Sequence, residues 1–362
     1  DPDYRVYVMK GEPPKSSYNF RDGYWIKEDR WPSKAIKNKK LYLSSKNVLS
    51  FSNKKNKRQL GVIDSPQHCG LKGGEYCAIW LGPELPGDQR LDDAFSLCFD
   101  TNALSLEEDI VGSPELTVTL EANSPNGQLA VRLCDVFPDG KSSRITYGIL
   151  NLRFRESFDS PKNISLGKEF TVKIKLDHIA YKLPKGNKLR LSLSNAYWPL
   201  VWPVNNPAKL FVKEGYLSLP LRQSAKSDEW VFPESVSSKP WQGKEIRKPR
   251  NKRQVLFDEA TDAVFLDIED DFGSYKDLQN ELVISSTARE KWSIHPHDPL
   301  SAKGETHWTE ERSRGDWSIR TETFSSMTSD KSYFYLKARV EAYEKEKLIF
   351  KKKMESKVRR VL

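Results

Sequence analysis

The sequence predicts a mainly β protein: an antiparallel sandwich or jelly roll, followed by a second, smaller β-rich region. Three observations carry the prediction. Short runs alternate apolar and polar residues with a period of two, as strands do when one face is buried. Turn-forming clusters separate the runs: Pro125-Asn126-Gly127, Pro138-Asp139-Gly140, Leu166-Gly167 and Pro184-Lys185-Gly186. Long helical periodicity is nearly absent; Ser105 to Asp109 fits one short helical turn.

The elements follow in order. Residues 1–38 read as a lead-in: one strand over Arg5 to Met9, then Pro13-Pro14, then an aromatic stretch through Trp25 to Trp31-Pro32. Residues 39–224 form the main β domain, opened by Leu41-Tyr42-Leu43. Phe95 to Asp100 is next, then Glu115 to Glu121, where Leu116, Val118 and Leu120 share a face. Gln128 to Asp135 places Leu129, Val131 and Leu133 together, and Thr146 to Arg155, Glu169 to Leu176 and Lys188 to Ser194 keep the same period. Residues 225–254 are polar and basic and contain Pro233, Pro240 and Pro249, so they read as a linker. Residues 255–362 form the second region, with strands over Val255 to Phe257, Ala263 to Ile268, Leu282 to Ser286, Trp317 to Phe324 and Ser332 to Glu341. The last is the cleanest: Phe334, Leu336, Ala338 and Val340 alternate with Tyr333, Tyr335, Lys337 and Arg339.

Composition narrows the function classes. At 362 residues, with 37% hydrophobic and 30% charged residues, the chain can bury a large core without staples. No apolar run reaches the ~18 residues of a membrane helix, and the 10 Trp, 14 Tyr and 16 Phe are too many for a disordered chain. The net charge of +9 could favour an anionic partner, but acids are interspersed among the bases. Dense basic stretches occur at Lys54 to Arg58, Arg247 to Arg253 and Lys351 to Arg360, each expected in a loop or tail. Solvated surface charge explains them better than a nucleic-acid footprint, so neither nucleic acid nor membrane is an expected partner. Cys69, Cys77, Cys98 and Cys134 lack the spacing of a zinc site. Cys98 and Cys134 sit in apolar alternating runs as small hydrophobes, while a Cys69–Cys77 pair is the minority reading. Free thiols fit a reducing compartment, which favours the cytoplasm.

The search for catalytic chemistry is mostly negative. There is no Gly-x-Ser-x-Gly elbow, P-loop, Gly-x-Gly-x-x-Gly or His-Glu-x-x-His. His295-Pro296-His297-Asp298 is the one ligand-like cluster, but its prolines favour a fixed loop in which Asp298 caps backbone amides. Asp135 and Asp139 could work as paired carboxylates, yet Asp139-Gly140 reads as a hairpin tip and Asp135 as a strand-end hydrogen bonder. No catalytic residue, metal or cofactor is expected. The rigid aromatic run Tyr197-Trp198-Pro199-Leu200-Val201-Trp202 fits either a binding surface, formed by Tyr197, Trp198 and Trp202, or core cover at a sheet edge.

A family resemblance emerges from motifs in order. Gly87-Asp88-Gln89-Arg90 comes first, followed by Ser96 to Asp100, then Glu108-Asp109-Ile110-Val111-Gly112-Ser113-Pro114. The most telling run is Val131-Arg132-Leu133-Cys134-Asp135-Val136-Phe137-Pro138-Asp139-Gly140. Gly148 to Arg155, Leu183-Pro184-Lys185-Gly186 and Ser194 to Pro203 complete the set. Together these resemble the C-terminal jelly roll of the X-Pro dipeptidyl-peptidase and cocaine-esterase-like (CocE/NonD) hydrolases. Asn187 is a departure, since many relatives carry His after that Gly. The lead-in resembles the stretch between hydrolase and jelly-roll domains, and Asp298 to Ala302 with Val358 to Leu362 resembles a longer subgroup with an extra C-terminal region.

The resemblance implies a jelly-roll (galactose-binding-like) sandwich that packs on an upstream α/β-hydrolase domain of the same polypeptide. That domain would carry the Ser, His and Asp that cleave small ester or peptide substrates by acyl transfer. None of the five His aligns with the family's catalytic one, so the chain is expected to be a non-catalytic portion of a longer polypeptide. In relatives, apolar residues shortly before the Asp-Gln-Arg motif reach toward substrate, which implies Tyr76, Ile79 and Trp80 as pocket wall. The docking partner should leave an exposed apolar patch on residues 1–35 and near Trp80. The competing expectation is a free-standing carbohydrate-binding sandwich with an aromatic groove at Tyr197, Trp198 and Trp202.

Overall fold

A computed structural model describes residues 2–53, 59–78, 82–223 and 228–360. Among the described residues the regular structure is nearly all strand, and the chain divides into two compact units. The first comprises residues 1–74, 85–197 and 206–235, and the second residues 75–84, 198–205 and 236–362. No helix among the described residues is long and apolar enough to cross a membrane.

Among the described residues the first unit holds fourteen strands. They are β1 (Tyr4–Lys10), β2 (Gly23–Glu28), β3 (Ile36–Ser44), β4 (Val48–Ser50), β5 (Gly61–Ile63), β6 (Leu97–Asp100) and β7 (Glu108–Gly112). Then come β8 (Glu115–Ala122), β9 (Gln128–Val136), β10 (Ser142–Asn151), β11 (Phe170–Lys175), β12 (Ile179–Leu183), β13 (Lys188–Ser194) and β14 (Leu210–Arg222). Helix α1 (Arg90–Ala94) precedes β6. One hydrogen-bonded path runs β10-β9-β13-β6-β4-β3-β14-β7-β12-β1-β2, while β8 joins β14 to β11. The path bends back so that inward residues of β9 and β13 share one core with those of β8, β11 and β14. Leu116, Val118, Leu120, Leu129, Leu191 and Leu210 all have no solvent-exposed surface. The period of two read from β8 is its burial pattern: Leu116, Val118, Leu120 and Ala122 are buried and their neighbours half-buried. β9 is buried along its whole length, because β10 and β13 flank it.

The second unit is an eight-stranded antiparallel sheet. Its strands are β15 (Gly243–Arg247), β16 (Arg250–Phe257), β17 (Val264–Asp277), β18 (Val283–His295), β19 (Asp298–Arg314), β20 (Trp317–Ser329), β21 (Tyr333–Glu344) and β22 (Lys347–Arg359). β17 to β22 pair with their sequence neighbours in a meander, and β15 and β16 both pair with β17.

Several expectations are corrected. Within residues 1–38, β1 pairs with β12 and β2 lies at the sheet edge. Residues 243–254 of the expected linker are strand, and so is Lys351 to Arg359 of the expected tail. Their side chains are mostly exposed, so no apolar alternation marks them. Backbone pairing to β17 and β21 holds them instead. The expected helical turn at Ser105 to Asp109 gives way to β7, whose Ile110 and Val111 are buried. Lys54 to Arg58, the remaining basic stretch, lies outside the described residues. Asp139-Gly140 does form the β9–β10 turn, with Gly140 at φ +85°, the left-handed region that favours glycine.

Candidate functional site

Two features of the first unit combine chemistry with position: a buried polar base under the Gly87 to Arg90 motif and an aromatic face on the β1–β2 hairpin.

The polar base begins at Gln89, which caps α1. Its Nε2 donates to the carbonyls of Lys72 (2.7 Å) and Gly87 (2.8 Å). Asp92 accepts from the amides of Gly70 and Lys72, each at 3.0 Å, which fixes the loop before Tyr76 onto the helix. Burial raises the Asp92 carboxyl above its ordinary pKa. Asp93 receives Arg132 at 3.0 Å, Arg190 at 3.1 Å and the hydroxyls of Ser142 and Ser192 at 2.8 Å. Arg190 also grips Asp100 with two 2.7 Å bonds. Arg132 has no exposed surface and donates further to Gln89 and Ser96. Buried charges persist when each is paired and hydrogen-bonded. These side chains bond one another, except for Arg132 Nε, which is buried without an acceptor among the described residues, and through Asp92 and Gln89 the cluster holds the Ser65 to Gly74 loop against α1.

The aromatic face arises from strand alternation. One side of the hairpin buries Val8 and Ile26 against Val111. The other side carries Tyr7 and Trp25, which are register partners with ring centroids 5.2 Å apart. Residues 228–235 bring Phe232 to 5.0 Å from Trp25 and Trp230 to 6.3 Å from Phe232. The Arg5 guanidinium lies 5.2 Å above the Trp230 ring and 5.6 Å above Phe232. Arg222 ties both segments together by binding Glu28 (2.5 Å) and Asp228 (3.0 Å). Trp25 and Phe232 remain 39% and 42% exposed. A second pair, Tyr4 and Trp31 at 6.1 Å, is similarly open, and Phe20 is 74% exposed. Sequence reasoning placed the apolar patch on residues 1–35 but missed Trp230 and Phe232; the Glu229-Trp230-Val231-Phe232-Pro233 run was their signal.

The other sequence-derived site residues scatter. Tyr76 is 84% exposed, whereas Ile79 and Trp80 lie outside the described residues. Tyr197, Trp198 and Trp202 do not form an aromatic surface. Tyr197 and Trp198 are each 1% exposed. The Tyr197 hydroxyl accepts from Arg144 at 2.7 Å, and burial pushes its pKa up to about 12. Trp198 packs edge-on against Trp202 and Trp292, and Trp202 Nε1 donates to Ser329 Oγ. Their rings are core cover, because the proline-stiffened run turns inward. Cys69 and Cys77 are both free thiols, the first buried and the second exposed. His295 and His297 sit on the β18–β19 turn, where Asp298 Oδ1 accepts from the Leu300 amide and His295 Nδ1 from the His297 amide. Asp135 is fully buried inside β9 and is more than a strand-end group: Tyr181 Oη (2.8 Å) and Asn187 Nδ2 (2.7 Å) both donate to it.

With this geometry in place, comparisons with known proteins become informative. A family model of the X-Pro dipeptidyl-peptidase C-terminal non-catalytic domain matches residues 1–228. Over 122 residues the chain is 26% identical to the cocaine esterase of Rhodococcus sp. (strain MB1 Bresler), which covers 33% of this chain and 21% of the esterase. An aminopeptidase structure from the marine sediment archaeon Thaumarchaeota archaeon is 18% identical, covering 55% of this chain and 39% of its own, with a TM-score of 0.48. An alpha-amino acid ester hydrolase structure is 20% identical over the same shares, with a TM-score of 0.49. The matched part thus spans about a fifth of the curated esterase and two fifths of the solved chains. The family match takes in every strand of the first sheet, the Gly87 to Arg90 motif and its polar base, and well over half of the chain. The chain therefore belongs to the family of the X-Pro dipeptidyl-peptidase C-terminal non-catalytic domain.

Proposed function

We propose that this chain is the non-catalytic C-terminal portion of a serine hydrolase that cleaves esters or amides, and that its first unit docks an α/β-hydrolase domain of the same polypeptide. The carrying observation is the half-exposed aromatic face of Tyr7, Trp25, Trp230 and Phe232 on the segment that resembles the hydrolase-to-jelly-roll junction. Exposed aromatic clusters of this kind are rare on free surfaces and common where a partner covers them. The polar base would hold the Ser65 to Gly74 loop rigid, so that Tyr76, with Ile79 and Trp80, forms one wall of the substrate pocket. Acyl transfer itself would belong to the docked domain's Ser, His and Asp. The carbohydrate-binding alternative loses its groove, since Tyr197 and Trp198 are buried.

The test supplies the α/β-hydrolase domain as a separate chain and measures association by sedimentation. The expected result is a one-to-one complex that Trp25→Ser with Phe232→Ser weakens about tenfold or more. A complex indifferent to both substitutions, or no complex, would contradict the proposal.

A further inference from the structure

The first unit contains a cavity of about 480 Å³ between the Met9 to Arg21 segment, β10 and residues 177–181. Its size lies within the ~300–1,000 Å³ range of small-molecule sites. Three permanent cations line it, Lys15, Arg21 and Arg144, against one lining carboxylate, Asp177, which is itself exposed. His178 also lines it. The other nearby carboxylate, Asp135, accepts from Tyr181 and Asn187 and also feels the Arg21 charge. Arg144 is fixed in place, with one Nη on the Tyr197 hydroxyl and its guanidinium 4.3 Å from the Tyr147 ring centroid. Arg21 is less satisfied. It stacks at 4.6 Å on Tyr18, and one Nη makes a long 3.4 Å bond to the Lys10 carbonyl. Its Nε is buried with no acceptor among the described residues. A buried donor without an acceptor is costly, and a charged one more so. The remaining wall is apolar or aromatic, with Leu85, Pro86, Ile145 and Tyr181 among it.

We propose that this cavity binds a small organic carboxylate, whose anionic end pairs with Arg21 and whose apolar body lies among Tyr18, Ile145, Tyr147 and Leu85. The cationic lining selects an anion. A cationic side facing apolar and aromatic walls favours a monoanion with a hydrophobic body over an inorganic dianion. Nothing in this site requires the docked domain, since every lining residue belongs to the first unit.

The test titrates the full chain with sodium benzoate, benzamide and inorganic phosphate, each followed by calorimetry and by ligand-observed NMR. Benzoate should bind saturably, with benzamide and phosphate each about tenfold weaker or worse. Arg21→Gln should cost benzoate about tenfold or more in Kd and leave benzamide and the thermal midpoint unchanged. Lys15→Gln, at an exposed position, should weaken benzoate by a smaller factor and without any folding effect. Equal affinity for benzoate and benzamide, preference for phosphate, no saturable benzoate binding, or an Arg21→Gln variant with unchanged benzoate affinity would each overturn the proposal.

Discussion

Asp135 shows how one side chain couples burial, hydrogen bonding and pH. Its carboxyl is fully buried on β9, and burial pushes its pKa up to about 6 despite the bonds from Asn187 and Tyr181. An unfolded aspartate titrates near ~3.9. The native state therefore holds this proton more tightly than the unfolded state. The penalty for ionising it is absent below about pH 4, grows between about pH 4 and 6, and is complete above that, at on the order of 3 kcal/mol. Asp135→Asn removes the titration. The stability difference between variant and wild type should therefore shift toward the variant by about that amount as pH rises through this window, as measured by urea unfolding at several pH values. A pH-independent difference would contradict the assignment. At this scale the sequence showed much but misjudged environment. Asp135, Arg132 and the Gly87 to Arg90 motif were recognisable as family marks, yet their mutual pairing depends on strands remote in sequence. Asn187 was noted only as a departure, and its contact with Asp135 across 52 positions has no local signature.

At the scale of elements, alternation revealed the strands whose one face is buried and hid the others. β8 and β13 carried the period of two and lie within a residue of their expected bounds. β19 and β22 did not. β19 is the longest strand, yet most of its residues are polar and only half-buried. β22 is exposed throughout, and its backbone ladder to β21 does not depend on side-chain pattern. Close approach of elements leaves a clearer mark. Gly148 lies in β10 where a Cβ would stand 2.7 Å from the Lys175 carbonyl oxygen and 3.2 Å from Leu176 Cα. Both are backbone atoms and cannot swing aside. Gly148→Ala should therefore cost about 1–3 kcal/mol by forcing β10 away from the end of β11. Equilibrium unfolding checks this, and an unchanged midpoint would show that the two segments separate freely.

At the scale of the whole molecule, the sequence pointed to two β regions and to a family in which catalysis resides elsewhere. The fold bears out both β regions, and the family match covers residues 1–228. The boundary between regions was harder to read. Residues 75–84 and 198–205 belong to the second unit although they are embedded in the sequence of the first. Such insertions are set by long-range contacts, for example Trp198 on Trp292, and not by local composition. The aromatic face shares this character, because it joins Trp25 to Phe232 across most of the first unit's sequence. The cavity beside Arg21 was invisible for the same reason, since its walls come from four separate stretches.

The central proposal is that acyl transfer belongs to a docked hydrolase domain and not to this chain. Incubating it with a fluorophosphonate probe, alongside a chromogenic X-Pro amide and a short-chain aryl ester, tests that directly. The account predicts no labelling and no turnover. Turnover with stoichiometric labelling of one serine would contradict it, and the labelled residue would mark an active site within this chain.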